Sequence, residues 1–406
     1  MATATISRPS HFTEQERDQL LADVNAFCEE LRPHEELCYV SHKFNDQVVP
    51  LAKKYNLLGM PVPKEYGGRG SDTLTYVKAL MRIGQEGTGV RTFFSGHTSI
   101  GEYPILTWGN EDQKNRYLSA AVNGEITLCF GLTEPEAGSN PLEMQTTYER
   151  KGDKYILNGD KYLISNAGIA NSVVTFAYPA KDGQRIEGGR ISAFIVDLEG
   201  ETVQIESLND KMGMFTSNTG MFSLEDHEVP LENMLGDEGD GFRIAMGTLV
   251  SGRLSVAAGC LGVIEDCLIE SLRYARERFQ HGKEIGKHQL VQDHIAQIEM
   301  DRIASECLLF RAAEAKDLAN ANPDDPARQR QAELLAAQSK FYATNAAWDA
   351  ADRAVQVWGG KGWSTIYRPG RHLMDVRVCR IYEGTDEILK LKIASALLGK
   401  EFQAYK

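Results

Sequence analysis

The hydrophobic period changes twice along this chain, from the 3-and-4 spacing of helices to the alternation of strands and back, and that double switch excludes most architectures. Leu20, Val24, Phe27 and Leu31 recur at +4, +3, +4, and Thr13 with Glu16 three residues on has the form of a capping box. Residues 13 to 122 therefore read as helical. They are interrupted at Leu57 to Gly70, where Pro61, Pro63, Gly67, Gly68 and Gly70 demand a loop before helix resumes near Ser71. From about Glu125 the pattern alternates. Lys154 to Leu157 and Lys161 to Ser165 flank Asn158-Gly159-Asp160, the strongest short hairpin signal, and Val173 to Tyr178, Ile191 to Asp197, Val203 to Leu208 and Gly220 to Leu224 read as further strands.

Gly236, Gly239 and Gly241 lack Gly-x-Gly-x-x-Gly spacing and read as a hinge rather than a dinucleotide fingerprint. Beyond them Leu261, Ile264, Leu268, Leu272, Ala275 and Phe279 form one helical seam. Leu334, Ala337, Phe341, Thr344, Trp348, Ala351, Val355 and Trp358 form a second, whose alanines admit a close neighbour. A turn falls at Ala319 to Pro326, Gly359, Gly360 and Gly362 end the long helix, and a last helix runs from near Thr385 to about Leu398. The fold class expected is a multidomain α+β chain: an N-terminal helical domain (1–124), a middle small β-barrel or sandwich (125–238) and a C-terminal four-helix bundle (239–406).

Composition narrows the function. With 57 acidic against 44 basic side chains the net charge is −13, and without a Lys/Arg tract the chain is a poor nucleic-acid binder. No stretch is read as approaching the ~18–20 apolar residues of a membrane span, the longest of note being Leu254 to Ile264 between Arg253 and Glu265. Met1 to Arg8 lacks an apolar core and acidic residues follow at once, so a cytoplasmic location is expected. Seven cysteines without C-x-x-C (Cys28, Cys38, Cys129, Cys260, Cys267, Cys307, Cys379) read as reduced thiols, not a metal site.

Three islands carry the chemistry: Gly131-Leu132-Thr133-Glu134-Pro135-Glu136-Ala137-Gly138-Ser139, Arg278-Phe279-Gln280-His281-Gly282, and Ile381-Tyr382-Glu383-Gly384-Thr385. With Ala354-Val355-Gln356-Val357-Trp358-Gly359-Gly360-Lys361-Gly362 between the latter two, their order in an α–β–α chain resembles the acyl-CoA dehydrogenase family, from about Phe12 to Leu398. The resemblance implies FAD between the β unit and the bundle, an acyl-CoA substrate, a homotetramer, and an electron-transfer flavoprotein as acceptor.

It also implies roles. By spacing alone Glu383 reads as a cap of the helix that follows or as a partner of Arg380. The resemblance makes it the base that removes the α-proton, while the thioester carbonyl is held by the Glu383 backbone N–H and a flavin ribityl hydroxyl. Where some relatives carry the base on the helix that holds Arg253, this chain has Gly252. Leu132, Thr133 and Ser139 are implied at the flavin, Ser139 also at the substrate, and Ile164 and Ser165 near flavin N5. Thr385 and Glu387 belong to the same cofactor set. Arg278, Gln280, Gln356, Gly359 and Gly360 are implied to reach the FAD of a neighbouring subunit, although an arginine at Arg278 also reads as an exposed helix end. Leu163, Ser165 and His281 depart from the family's tryptophan, threonine and phenylalanine. Arg253, Tyr382, Gly384, Arg91 and Ser95 are implied at the substrate, Arg253 being either a CoA-side cation or a structural partner of an acid. In Thr88-Gly89-Val90-Arg91-Thr92-Phe93-Phe94-Ser95 the arginine and serine match the glutaryl-CoA dehydrogenases, where they face a distal carboxylate. Gly84 replaces that subfamily's glutamate, and Arg91 otherwise reads as paired with Glu86 or Glu102. An oxidase-like reaction on the same fold is the nearest alternative. A non-enzymatic flavin-retaining binding protein is remote, since it calls for a basic face.

Overall fold

A computed structural model of the chain describes residues 12–402 and 404, so the reading of Met1 to Arg8 lies outside the described residues. Helix α1 (Glu14–Ser41) opens on the capping box: Thr13 Oγ1 accepts from the Glu16 N–H at 3.2 Å, and Glu16 Oε2 accepts from the Thr13 N–H at 2.8 Å. Its stripe Leu20, Val24, Phe27 and Leu31 is fully buried. After α2 (Val48–Lys54) the Pro/Gly segment makes only a single 3-10 turn, Lys64–Tyr66, before α3 (Thr73–Glu86), capped by Asp72. Helix α4 (Thr88–Phe94) runs through a π-helical stretch, Ser95–Glu102, into α5 (Tyr103–Trp108), and α6 (Glu111–Gln113) and α7 (Ser119–Val122) follow.

The strands come next: β1 (Leu128–Gly131), β2 (Thr147–Lys151), β3 (Lys154–Ser165), β4 (Ser172–Lys181), β5 (Gln184–Arg185), β6 (Ser192–Asp197), β7 (Val203–Ser207), β8 (Thr219–Pro230) and β9 (Met234–Leu235). They join in the order β7-β8-β3-β2-β4-β6-β9, with β1 and β5 also on β4. Strand β4 belongs to two layers, since Ser172 to Thr175 pair with β1 and β6 while Tyr178 and Pro179 pair with β2. Leu157, Val173, Phe194, Val196 and Phe222 meet in one core between them.

The expected hairpin at Asn158-Gly159-Asp160 does not form. β3 continues straight through these residues and breaks register with β8 between Leu157 and Gly159. The competing interaction is a bulge: the Asn158 side chain accepts from the Asp226 N–H at 2.7 Å and donates to Asp226 Oδ1 at 3.1 Å, which occupies the amide a tight turn needs. A Cβ at Gly159 would stand 2.5 Å from Thr146 Oγ1, so close strand approach explains that glycine. β3 instead turns back on β2, a strand the alternation did not single out, through Gly152 and Asp153.

Helix α8 (Gly241–Glu277) starts the bundle with α9 (Gln289–Asn320), α10 (Pro326–Trp358), α11 (Arg368–Val376) and α12 (Asp386–Leu398). Between α8 and α9 a small hairpin, β10 (Phe279–Gln280) and β11 (Lys283–Glu284), turns at His281 and Gly282, both at positive φ. Phe279 is therefore exposed and not part of the first seam. On α10 the predicted seam is only one edge of the buried face: Trp348 and Phe341 are half-buried, while Ala336, Ala343, Ala347, Ala350 and Ala354 are fully buried. Small side chains let four helices, α8, α9, α11 and α12, pack against this one, widening the apolar stripe beyond a coiled-coil seam.

The reading of the apolar run on α8 also needs correction. By length and composition this helix is apolar enough to cross a membrane, but 83% of the stretch concerned is buried against the rest of the protein, with α3, α9 and α10 packed around it. Where α3 meets α8 the backbones touch: a Cβ at Gly84 would lie 2.6 Å from the Gly259 carbonyl oxygen. The absence of a glutamate at 84 is thus a packing requirement of these two helices.

Candidate active site

Glu383 lies in the short turn between α11 and α12, and its side chain reaches back to the middle of α8. The contact is so close that a Cβ at residue 252 would fall 2.4 Å from Glu383 Oε1, so only glycine leaves room for the carboxylate. The turn is left-handed at two successive residues, Glu383 (φ 56°) and Gly384 (φ 93°). Neither bland role of Glu383 is realised. Thr385 caps α12, accepting from the Ile388 N–H at 3.3 Å, and Arg380 pairs with Asp386 at 2.8 Å. Glu383 Oε2 is shielded from solvent and has no hydrogen-bond partner among the described residues. Burial pushes its carboxyl up to about 7, against the opposing pull of Arg253, Lys340 and Arg91.

Glu383 and Tyr382 line a cavity of ≈ 120 Å³ with Arg91, Thr92, Ser95 and Gly96 of the α4 and π-helical run, Leu249 and Val256 of α8, and Leu132, Thr133, Leu163, Ile164 and Ser165 of the β layer. Residues implied at the flavin and at the substrate thus meet in one space. The β-layer wall is held from below. The Tyr162 N–H donates to the Thr133 carbonyl at 2.9 Å, and Glu134 forms a buried ion pair with Lys161 at 2.7 Å. Glu134 also accepts from Thr146 and the Gln145 N–H, and these partners hold its carboxyl below the usual range despite burial. The Thr133-Glu134-Pro135 turn is therefore an anchored one. Leu163, at φ 58° beside a register break in β3, is half-exposed.

Arg91 is 1% exposed. Neither expected partner reaches it: Glu86 pairs with Arg32 and Arg82, both at 2.6 Å, and Glu102 lies 3.6 Å from His97 Nε2 with no hydrogen bond at either oxygen among the described residues. Arg91 instead lies across Gly259 and donates to the Tyr382 hydroxyl, which sits 3.1 Å from Cys379 Sγ. Its Nε and Nη1, like the neighbouring Thr92 hydroxyl, are buried without a partner among the described residues. Arg253, also buried, donates from Nε to the Glu383 carbonyl at 3.1 Å and so supports the loop.

The other implied residues lie outside the cavity. Ser139 is exposed on the turn beyond Ala137, and Glu387 is exposed in the first turn of α12. Arg278, Gln280, Gln356, Gly359 and Gly360 are all exposed, gathered at one end of the bundle where Ala275, Ile285 and Val357 pack together. One chain does not bring that group to Thr133 or Glu383. Lys340 went unremarked in the sequence: its Nζ donates to the Gly384 carbonyl at 2.8 Å. The available signal was a lone lysine among Ala336, Ala343 and Ala347 on the buried face of α10.

Family models match almost the whole chain: the N-terminal domain of acyl-CoA dehydrogenase over residues 14–125, its middle domain over 129–227 and its C-terminal domain over 239–398. An acyl-CoA dehydrogenase of Bacillus subtilis is 38% identical over 370 residues, covering 91% of this chain and 94% of its own length. A glutaryl-CoA dehydrogenase of Desulfococcus multivorans is 35% identical, covering 88% of this chain and 89% of its own. The solved butyryl-CoA dehydrogenase of Megasphaera elsdenii superimposes with a TM-score of 0.88 at 32% identity, over 95% of this chain and 99% of that one.

Proposed function

The chain belongs to the acyl-CoA dehydrogenase family, and from that premise we propose that it desaturates an acyl-CoA thioester between Cα and Cβ, with Glu383 as the base that takes the α-proton. The observation that supports this most is the Glu383 carboxylate itself: desolvated, left with an unpartnered oxygen, and set in the same cavity as Thr133 and Ser165. An acidity near neutrality suits a group that must be ionised to act and yet accept a proton.

FAD fits the residues present. Leu132 and Ile164 offer apolar surface and Thr133 and Ser165 offer hydroxyl and backbone groups on the wall opposite Glu383, and bound FAD supplies the hydride acceptor for the β-hydrogen. Glu383 holds the abstracted proton at its carboxylate, its backbone N–H orients the thioester carbonyl, and closure of the cavity keeps water from the α-carbon. The domain limits 1–124, 125–238 and 239–406, the homotetramer, the reach of Arg278, Gln280, Gln356, Gly359 and Gly360 to a neighbour's FAD, and an electron-transfer flavoprotein as acceptor belong to the same reading. In the test, purified holoenzyme is mixed anaerobically with butyryl-, octanoyl- and glutaryl-CoA. Bleaching of the flavin by one of them, lost by ~10²–10⁴-fold or more in Glu383→Gln with FAD retained, is expected. Undiminished bleaching in the variant would sink the assignment, and rapid peroxide release in air would favour the oxidase.

A second reading concerns the substrate's far end. Arg91, buried and without a carboxylate partner among the described residues, lines the cavity beside Thr92 and Ser95, which is what an acyl chain ending in a carboxylate requires. Glutaryl-CoA should then outperform butyryl-CoA, and Arg91→Ala should remove that preference. Equal rates on the wild type would refute it.

A further inference from the structure

We propose that Lys340 is a positioning residue for the base: with Arg253 it clamps the two carbonyls of the Glu383-Gly384 turn and presents a positive charge to the Glu383 carboxylate. This rests on the reading of Glu383 as the base. Lys340 comes from α10 and Arg253 from α8, so the turn is gripped from two helices, at the Gly384 carbonyl (2.8 Å) and the Glu383 carbonyl (3.1 Å). Two successive left-handed residues, one of them not glycine, need such restraint, because that conformation is disfavoured unless the surroundings over-determine it.

A neutral donor could hold a carbonyl equally well, yet the chain places a fully buried lysine there, although burial disfavours its charged form. No carboxylate lies within ion-pairing distance of Lys340 among the described residues. Burying an unpaired charge is costly, so the charge itself needs an explanation. The groups around Glu383 supply one. From α8 comes Arg253, from α10 Lys340 and from α4 Arg91; Tyr382 faces Arg91, and Cys379 and Cys260 face both Arg91 and Lys340. The nearest other acids are engaged: Asp386 with Arg380 at 2.8 Å, and Glu333, which faces Arg253, with Lys392 at 3.4 Å. Lys340, which Cys379, Asp386 and Cys260 also face and whose own charge burial disfavours, therefore favours the ionised form of Glu383 while burial of the carboxylate opposes it.

The test uses full-length holoenzyme as wild type, Lys340→Met, Lys340→Arg and Glu383→Gln. The carboxyl infrared band of Glu383, identified by its loss in Glu383→Gln, is titrated without substrate, and anaerobic flavin reduction is followed in parallel. Lys340→Met should bind the Glu383 proton roughly tenfold or more tightly, moving the titration midpoint upward, and should slow reduction at saturating substrate with KM little changed. Lys340→Arg should restore the midpoint to within about threefold. A Lys340→Met protein that keeps its FAD, its midpoint and its rate would show that Lys340 only packs. If Lys340→Met does not fold, Lys340→Gln decides by the same midpoint, an unmoved value overturning the proposal. Retained reduction in Glu383→Gln would instead refute the base assignment, while the infrared midpoint would still report on the clamp.

Discussion

Gly252→Ala separates the position of the Glu383 carboxylate from the stability of the fold. The added Cβ would stand 2.4 Å from Oε1 and 2.6 Å from both Cδ and Oε2. Ordinary contact begins near 3.4 Å, so the carboxylate must retreat by about 1 Å. It is the free end of a flexible side chain, and a rotation that moves it costs ~0.5–1.5 kcal/mol. Replacing glycine by alanine inside a helix returns ~1 kcal/mol, so the fold should be unchanged to within ~1 kcal/mol. Proton abstraction tolerates displacement far less well: 1 Å costs on the order of 10²-fold, or ~2.7 kcal/mol of barrier. Anaerobic stopped-flow bleaching of the flavin by the best acyl-CoA substrate should therefore slow about a hundredfold while FAD content and the thermal midpoint stay put. Bleaching within about threefold of wild type would refute the reasoning, because the carboxylate would then act from somewhere other than its place over Gly252. A slow variant that also loses FAD or melts several degrees lower would refute it as well, since packing rather than displacement would be at fault.

Glu383 also links stability to pH. Its folded value of about 7 exceeds the ~4.3 of an unfolded glutamate, so the folded state keeps a proton that the unfolded chain releases between them, and stability falls as pH rises through that window. Glu383→Gln should gain up to ~3 kcal/mol over wild type at pH 8 relative to pH 5; melting differences that are equal at the two pH values would count against burial of the charged carboxylate. Lys161→Met should cost ~3–5 kcal/mol by stranding Glu134, and should lower FAD content because Thr133 is the adjacent residue. Adding Glu134→Gln should recover part of the loss in denaturant melts; full additivity of the two changes would mean the pair is not coupled.

The helices were legible because their signals act within a few residues. Thr13 with Glu16 and Thr385 ahead of α12 each cap the helix that their residue types announce. Four of the strands were legible from alternation for the same reason. The failures share a cause as well. Asn158-Gly159 has the chemistry of a tight turn, but its amide is used by Asp226, 68 residues away, and the strand continues. On α10 the period was right and the width of the buried face was not, because that width depends on how many helices press against it. Motif resemblance located Glu383 but said nothing of what surrounds its carboxylate.

The sequence by itself therefore determined the order of helical and strand segments, the caps, and the residue types available for chemistry, since each depends on neighbours in the chain. Only the tertiary structure decided that Gly252 makes room for Glu383, that Arg253 grips its carbonyl across 130 residues, that Lys340 is buried against the same turn, and that Arg91 lies in the cavity without a carboxylate partner among the described residues. Those facts depend on the exclusion of water and the absence of a counter-charge, and both are properties of side chains gathered from distant parts of the chain.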